Sequence, residues 1–257
     1  MKKLIYIQCS GGIGAQVLSA LAAKYFSRDL IFFDASYFGN NGSKLIPDNI
    51  YYFNKTVSDD LLKFNFFEMN RYFCWLARKV ISFMSKYSKN ILFLDDSNQL
   101  KLNYACRLKD KDFINKINIE LFKNIRQDSI VNIAHIRRGD YLAAGLPLLE
   151  IKQLLDILLE ERIDPNDLNI ITDSPDEILN EFKKFDLNIN IFSNDALTDL
   201  YIMTKAKTFI ASDSQFSLIS ILLSDSIETL FIPKRWNDIG ISKILMQRCN
   251  FLKIVEI

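Results

Sequence analysis

The alternation of apolar and polar positions is clearest in the second half of the chain. IVNIAHI (130–136) is a short apolar run that predicts a strand, and PLLEIKQLLDILLEE (147–161) carries apolar residues at helical spacing. LNIIT (168–172) predicts a further strand, and PDEILNEFKKF (175–185) a helix opened by a proline after Ser174, a residue suited to the cap. NINIF, ALTDLYIMTKA, KTFIAS, SQFSLISILLS and ETLFIP continue the exchange of strand and helix. Short, continuously apolar strands separated by helices predict a parallel sheet covered on both faces, a Rossmann-like domain from about Asn124 onward. The first half begins the same way, with KLIYIQ, the loop and helix GGIGAQVLSALAAKYF, and DLIFFD. It then loses the rhythm: residues 36–60 are loop-like and aromatic, and 61–89 carry an uneven helical pattern. A boundary is expected near 122–129, where the charged FKNIRQDS precedes the strand.

Composition narrows the class. The chain of 257 residues is 49% hydrophobic and 25% charged, enough for one large domain or two small ones with real cores. Lysine and arginine number 32 against 31 acidic residues, so no global positive field recruits nucleic acid. Cys9, Cys74, Cys106 and Cys249 form no C-x-x-C pair, and there is one histidine, which disfavours both a zinc site and a disulfide framework and suits a reducing, cytoplasmic compartment. The opening MKKLIYIQ resembles a signal peptide, but Gln8, Ser10 and three glycines interrupt it, and it reads as a strand, loop and helix of the fold. No apolar run of about eighteen residues suggests a membrane span.

The loop SGGIGAQV (10–17) follows the first strand, with Gly12 and Gly14 as a G-x-G and Asp34 ending the next strand where a ribose-binding acid belongs. Val17 stands where the third glycine of a dinucleotide fingerprint would be, so a tight turn is the simpler explanation and an NAD-dependent dehydrogenase a minor reading.

HIRRGDY (135–141) ends a core strand on a dense cluster of charge. Buried charge must be paired, so the cluster meets either internal partners or a ligand. In open parallel sheets, ligands bind beyond the carboxyl ends of the strands. Those ends carry His135, Arg137, Arg138 and Asp140; Thr172 and Asp173; Ser193, Asn194 and Asp195; Ser212, Asp213, Ser214 and Gln215; and Lys234, Arg235 and Trp236. Singly, these are explained as helix caps, or as one solvated arginine and one in an internal salt bridge with Asp140. Together they form a polar rim with cations facing a serine-rich helix N-terminus, a site suited to a nucleotide diphosphate.

HIRRGDY resembles the H-x-R-R-x-D motif of the α-1,2-fucosyltransferases, shared more loosely with α-1,6- and protein O-fucosyltransferases. DLYIMTKAKTFIASDSQFS (199–217) is similar to that family's D-L-Y-x-M segment and its S-x-F-S motif, and FIPKRW (231–236) to its P-x-x-W. GGIGAQ resembles the family's G-G-[LI]-G-N-Q loop, and FFDASYF (32–38) its D-x-S-x-[YF] segment. These blocks lie in the right order between residues 11 and 236.

The resemblance implies a GT-B-like α/β fold: two Rossmann-like halves facing a central cleft, an acceptor-side domain over 1–123 and a GDP-sugar-binding domain over 124–257. It implies an inverting transfer of L-fucose from GDP-fucose, as donor substrate and without an obligatory metal, to a hydroxyl of an oligosaccharide or lipid-linked glycan. An α-1,2 linkage and surface-glycan synthesis follow from the same resemblance. His135 and Asp199 are then expected at guanine, Arg137 at the β-phosphate, and Ser214, Gln215 and Ser217 along the phosphates, with Asp173 and Ser212 also on the donor side. Arg137, Arg138 and Asp140 are the catalytic candidates, Asp140 serving either as base or to position an arginine. Gly12, Gly14, Gln16 and Asp34 form the loop facing acceptor or phosphate. Ala15 replaces the family's loop asparagine, and Leu218 and Ile219 its paired tryptophans, which leaves room for another GDP-deoxysugar such as GDP-colitose, or for a non-catalytic nucleotide-binding module. RYFCWLARKVISFMSKYSKN (71–90) is basic and partly amphipathic, read either as an ordinary packed helix or as a peripheral contact with an anionic membrane at the inner face of the cell membrane.

Overall fold

In the computed structural model, the described residues are 2–9, 12–34, 71–95, 99–125, 131–187 and 189–256. The chain divides into two compact units, Met1–Leu121 and Phe122–Ile257.

The first unit holds a three-stranded parallel sheet of β1 (Leu4–Gln8), β2 (Leu30–Asp34) and β3 (Ile91–Leu94), with β1 in the middle. Parallel neighbours need a crossover, and α1 (Ile13–Tyr25) supplies the one from β1 to β2. Because side chains alternate along a strand, β1 presents Ile5 and Ile7 to one face and Tyr6 to the other. Tyr6 stacks between its register partners Phe32 and Phe93, at 5.2 and 5.0 Å between ring centroids. Helix α2 (Arg71–Ser85) packs against β3, and α3 (Gln99–Arg107) packs against α1. Lys101, on α3, is buried and donates to the Gln8 carbonyl at 3.1 Å and to Ser19 Oγ at 3.3 Å. Helix α4 (Lys111–Phe122) ends at the boundary between the units. Of the uneven pattern read over 61–89, residues 71–85 form α2, while β3, α3 and α4 were not anticipated; residues 36–70 lie outside the described residues.

The second unit is a six-stranded, wholly parallel sheet. Its strands are β4 (Asn132–Ile136), β5 (Leu168–Thr172), β6 (Asn190–Phe192), β7 (Thr208–Ile210), β8 (Thr229–Pro233) and β9 (Phe251–Val255). They lie in the order β6-β5-β4-β7-β8-β9, so the chain starts in the middle, winds outward one way, then returns and winds the other way. That is the doubly wound Rossmann order, with its reversal between β4 and β7. The connecting helices are α5 (Gly139–Ala144), α6 (Ile151–Glu161), α7 (Pro175–Lys183), α8 (Ala196–Thr204), α9 (Gln215–Leu223), α10 (Lys234–Asp238) and α11 (Ser242–Leu245). The α/β architecture with a parallel sheet agrees with the alternation in the sequence.

The core explains why. Ala134, Ile136, Leu154, Leu158, Ile170, Ile178, Phe182 and Phe231 join one cluster, the helical members spaced three or four apart and the strand members two apart. Strand β9 was not expected. Its exposed and half-buried residues mark an edge strand, and Lys253 on it pairs with Glu160 and Glu161 of α6 at 2.6 and 2.9 Å, a charge that discourages further pairing of the edge. Helix α6 starts at Ile151 rather than Pro147, closed by a capping box of Glu150 and Gln153. Among the described residues no helix is long and apolar enough to cross a membrane.

Candidate functional site at the reversal of the second sheet

Strand β4 delivers HIRRGDY to the carboxyl edge of the sheet, and β7 delivers Ser212 to Ser217 beside it. The two segments are joined through His135. Its Nδ1 lies 2.7 Å from Ser217 Oγ and 2.9 Å from Ser212 Oγ, and all three side chains are buried. Burial, with the positive charge of Arg137 nearby, lowers the His135 pKa to about 3, so the ring is neutral and shares a hydroxyl network rather than a charge. Ser214 caps α9, its Oγ accepting from the Ser217 N–H at 3.0 Å. The remaining N–H groups of that first turn are the ones a helix leaves for an external acceptor.

The two arginines of the motif part company. Arg138 is 2% exposed, and its Nη1 donates to the Leu149 carbonyl at 3.0 Å. Its guanidinium faces Glu181, Glu177 and Glu150 at 3.5, 3.8 and 4.0 Å, all on or next to α6 and α7. It therefore ties β4 to the helices covering the sheet and does not stand among the groups of the edge. Arg137 is 33% exposed and lies over the Tyr141 ring, 5.8 Å from its centroid. Its Nη1 pairs with Asp173 Oδ2 at 2.9 Å, and its Nε and Nη2 donate to Asp140 Oδ1 at 3.1 and 2.8 Å. The internal arginine thus uses glutamates, and Asp140 belongs to the solvated one.

Asp173 holds the turn together, since its Oδ1 also accepts from the Arg138 N–H at 2.9 Å. A Cβ at Gly139 would stand 2.6 Å from Asp173 Oδ2, so a larger residue there displaces the Asp173 carboxylate. Ser174 departs from expectation: at the N-cap of α7 it makes no side-chain capping bond, and its Oγ instead accepts from the Gly139 N–H at 3.4 Å.

On the other side, buried Asp213 accepts from Trp236 Nε1 at 2.8 Å and pairs with Arg235 at 2.9 Å. This clamps the start of α9 to α10. Tyr141 senses all four nearby charges, Asp213, Arg137, Asp140 and Arg235, and burial is the largest cause of its raised pKa. Asp213, Arg235 and Trp236 were expected on the polar rim of the strand ends, but nothing in the sequence gave any of them a separate role. Asp199 is set deeper: it accepts from the Asn194 backbone N–H and from its Nδ2 at 2.9 Å, and burial raises its pKa. Gln215 opens α9 and is half-buried.

Two cations, Arg137 and Arg235, thus face three carboxylates, Asp140, Asp173 and Asp213. Arg137 is the adaptable member, because its bond to Asp140, which is 70% exposed, costs little to exchange in water. The guanidinium fork that holds Asp140 and the N–H groups of the first turn of α9 are both donors suited to an oxyanion.

The loop candidates lie in the first unit. Gly12 is the N-cap of α1 with φ −72°, and a Cβ there meets nothing, so neither backbone strain nor close approach demands glycine at that position. Gly14 and Gln16 are buried on α1. Asp34 is buried, accepts from the Tyr6 hydroxyl, and pairs with Arg78 of α2 at 2.9 Å. A carboxylate so engaged is a poor ribose ligand, which removes the support for a dehydrogenase. Residues 10, 11 and 35–38 of the matching blocks lie outside the described residues. Among the described residues no group of three or more histidine, cysteine, aspartate or glutamate side chains is arranged to hold a metal ion.

No family model matches the chain, and no curated protein matches it. Among solved structures it is similar to NodZ alpha-1,6-fucosyltransferase soaked with GDP-fucose, at 14% identity over 88% of this chain and 94% of that one, with a TM-score of 0.41. It is similar to fucosyltransferase NodZ from Bradyrhizobium, at 14% identity over 88% and 94% of the two chains and a TM-score of 0.39. A third, POFUT1 in complex with GDP, is 13% identical over 100% of this chain and 99% of that one, with a TM-score of 0.39. These similarities are remote, and the functional reading rests on the motifs and the geometry of the edge.

Proposed function

We propose that the chain is a glycosyltransferase that takes fucose from GDP-fucose, with inversion, to a sugar hydroxyl, in α-1,2 linkage, on an oligosaccharide or lipid-linked glycan. One observation carries this reading. At the reversal between β4 and β7, His135 hydrogen-bonds Ser212 and Ser217, so that Arg137 and the start of α9 share one edge. A doubly wound sheet binds nucleotides at that place, and a diphosphate needs both a cation and N–H donors there.

The chemistry suits those groups. Breaking the sugar–phosphate bond leaves negative charge on the departing GDP. A guanidinium and helix N–H groups already in position stabilise that charge more in the transition state than in the bound donor. Asp140 is released as phosphate takes over its donors on Arg137, which makes it the candidate to receive the acceptor hydroxyl's proton. Arg138 contributes by holding β4 against α6 and α7, not by touching the donor. A non-catalytic GDP-binding module is favoured by one feature, the pairing of Arg137 with two carboxylates.

Calorimetric titration with GDP, and with NAD as control, tests the site; incubation with GDP-fucose and a panel of glycans tests the transfer. GDP binding that Arg137→Ala weakens by about 10-fold or more, with fucosylated product from the wild type, supports the reading. Binding of NAD in preference to GDP, or GDP binding indifferent to Arg137→Ala, overturns it. GDP binding without transfer to any acceptor supports the module instead.

A further inference from the structure

Helix α2 is mounted with its apolar side outward. Leu76, Val80, Phe83 and Met84 are all exposed, and Phe83 is 62% so. Their spacing of four, seven and eight residues puts them in one stripe about 100° wide. Tyr87, just past the helix and 77% exposed, extends the stripe and meets the Phe83 ring at 5.0 Å between centroids, tilted by 51°. The side facing the sheet is the plainer one: Ala77, Arg78, Ile81, Ser82 and Ser85 are half-buried, and Arg78 is taken up by Asp34. A packed helix has the opposite polarity, so this stripe is surplus to what holds the unit together.

The charge carried by the segment of the stripe has one sign. From Arg71 to Leu94 the chain has five basic residues and no acidic one. Lys79 and Lys86 are exposed along one border of the stripe, and Lys89 follows Tyr87. Lysine stems can lie on an apolar surface while their ammonium groups reach outward, and half-exposed Trp75 adds an amphipathic ring at the same border. Apolar side chains that insert a few ångströms, bordered by exposed lysines, match the boundary of an anionic lipid bilayer.

We infer that α2 is a peripheral membrane-docking face, with Leu76, Val80, Phe83, Met84 and Tyr87 entering the acyl boundary and Lys79, Lys86 and Lys89 engaging anionic headgroups. The inference concerns the first unit alone and does not depend on the nucleotide reading of the second. The test is co-sedimentation of the full chain with vesicles of phosphatidylcholine, with and without a third of phosphatidylglycerol. The wild type is expected to bind the anionic vesicles and to be released by salt. Lys79→Gln with Lys86→Gln is expected to weaken binding about 30-fold, at roughly one lysine's worth of surface attraction each. Phe83→Ser is expected to weaken it further, while Leu159→Ser, an equally exposed leucine on α6, leaves it unchanged. Trp75 emission is expected to shift to the blue on binding, and Trp75→Phe to remove the shift, since the other tryptophan, Trp236, is buried. Equal partition to neutral and anionic vesicles, or binding untouched by the lysine and Phe83 substitutions, overturns the inference. A stable dimer that Phe83→Ser dissociates, with no vesicle binding, also overturns it and gives the face to a second copy.

Discussion

Exchanging each arginine of HIRRGDY for methionine separates two roles that the sequence presents side by side. Methionine keeps most of the stem's packing and removes the guanidinium. At Arg138 the loss is internal. The Leu149 carbonyl loses its donor at 3.0 Å, and a buried acceptor without a partner costs about 1–3 kcal/mol. The three glutamates nearby are 24–60% exposed, so water takes over much of their pairing and the penalty stays below that of a fully buried broken pair. A total of about 2–4 kcal/mol follows, which in a chain of this size lowers Tm by about 5–15 °C. GDP affinity, measured by calorimetry at a temperature where both proteins are folded, should change by less than about threefold, since no donor at the edge is lost. At Arg137 the expectation is reversed. Its pairs with Asp140 and Asp173 are partly solvated, so stability should move by less than about 1 kcal/mol. GDP should bind about 10- to 100-fold more weakly, the range for a lost charge-assisted hydrogen bond of about 1.5–3 kcal/mol. Thermal unfolding and GDP titration on the two variants give four numbers. Loss of GDP binding in Arg138→Met with an unchanged Tm would refute the division of labour and put the buried arginine at the ligand.

Three further outcomes follow from neighbouring contacts. Burial holds His135 neutral with a pKa of about 3, below its unfolded value of about 6.5, so the unfolded chain takes up its proton first as pH falls; stability should decline from pH 6.5 toward 3 by up to about 1.4 kcal/mol per pH unit from this group, and urea midpoints at pH 7.5 and 5 should draw together in His135→Gln. Gly139→Ala places a Cβ 2.6 Å from Asp173 Oδ2, so Asp173 must move; a cost of about 1–3 kcal/mol in denaturant unfolding and a weaker GDP titration are expected together, and an unaltered protein on both counts would mean that the turn yields freely. Asp213→Ala strands the Trp236 N–H in a buried position, and a loss of about 1–3 kcal/mol with an altered Trp236 emission should be seen by fluorescence-monitored unfolding.

Much of the second unit was legible because its signals are local. Apolar runs of strand length, separated by helical spacing, specify parallel strands wherever the chain folds, and LNIIT became β5 without change of boundary. The candidate edge was legible for the same reason, since strands that run in parallel deliver the residues after them to one side. The first unit was less so, β3 being a run of only four residues, ILFL; in the second unit β9 was missed because it is an edge strand whose exposed positions blur its period. The partners of the charges were beyond the sequence altogether. Nothing in two adjacent arginines says which turns inward, because that depends on Leu149, Glu177 and Glu181 coming from helices that only the packed sheet brings near. The strand order was equally hidden, since it is fixed by how helices cover two faces, and with it the meeting of His135 and Ser217, 82 positions apart. The apolar stripe of α2 could be counted in the sequence, but its outward direction is a property of the fold, set where Arg78 finds buried Asp34. Sequence by itself determined the α/β class and which chemical groups stand at the strand ends, because periodicity and local spacing are written residue by residue. Tertiary structure alone decided which of those groups is paired, buried or available, because that depends on contacts between segments far apart in the chain.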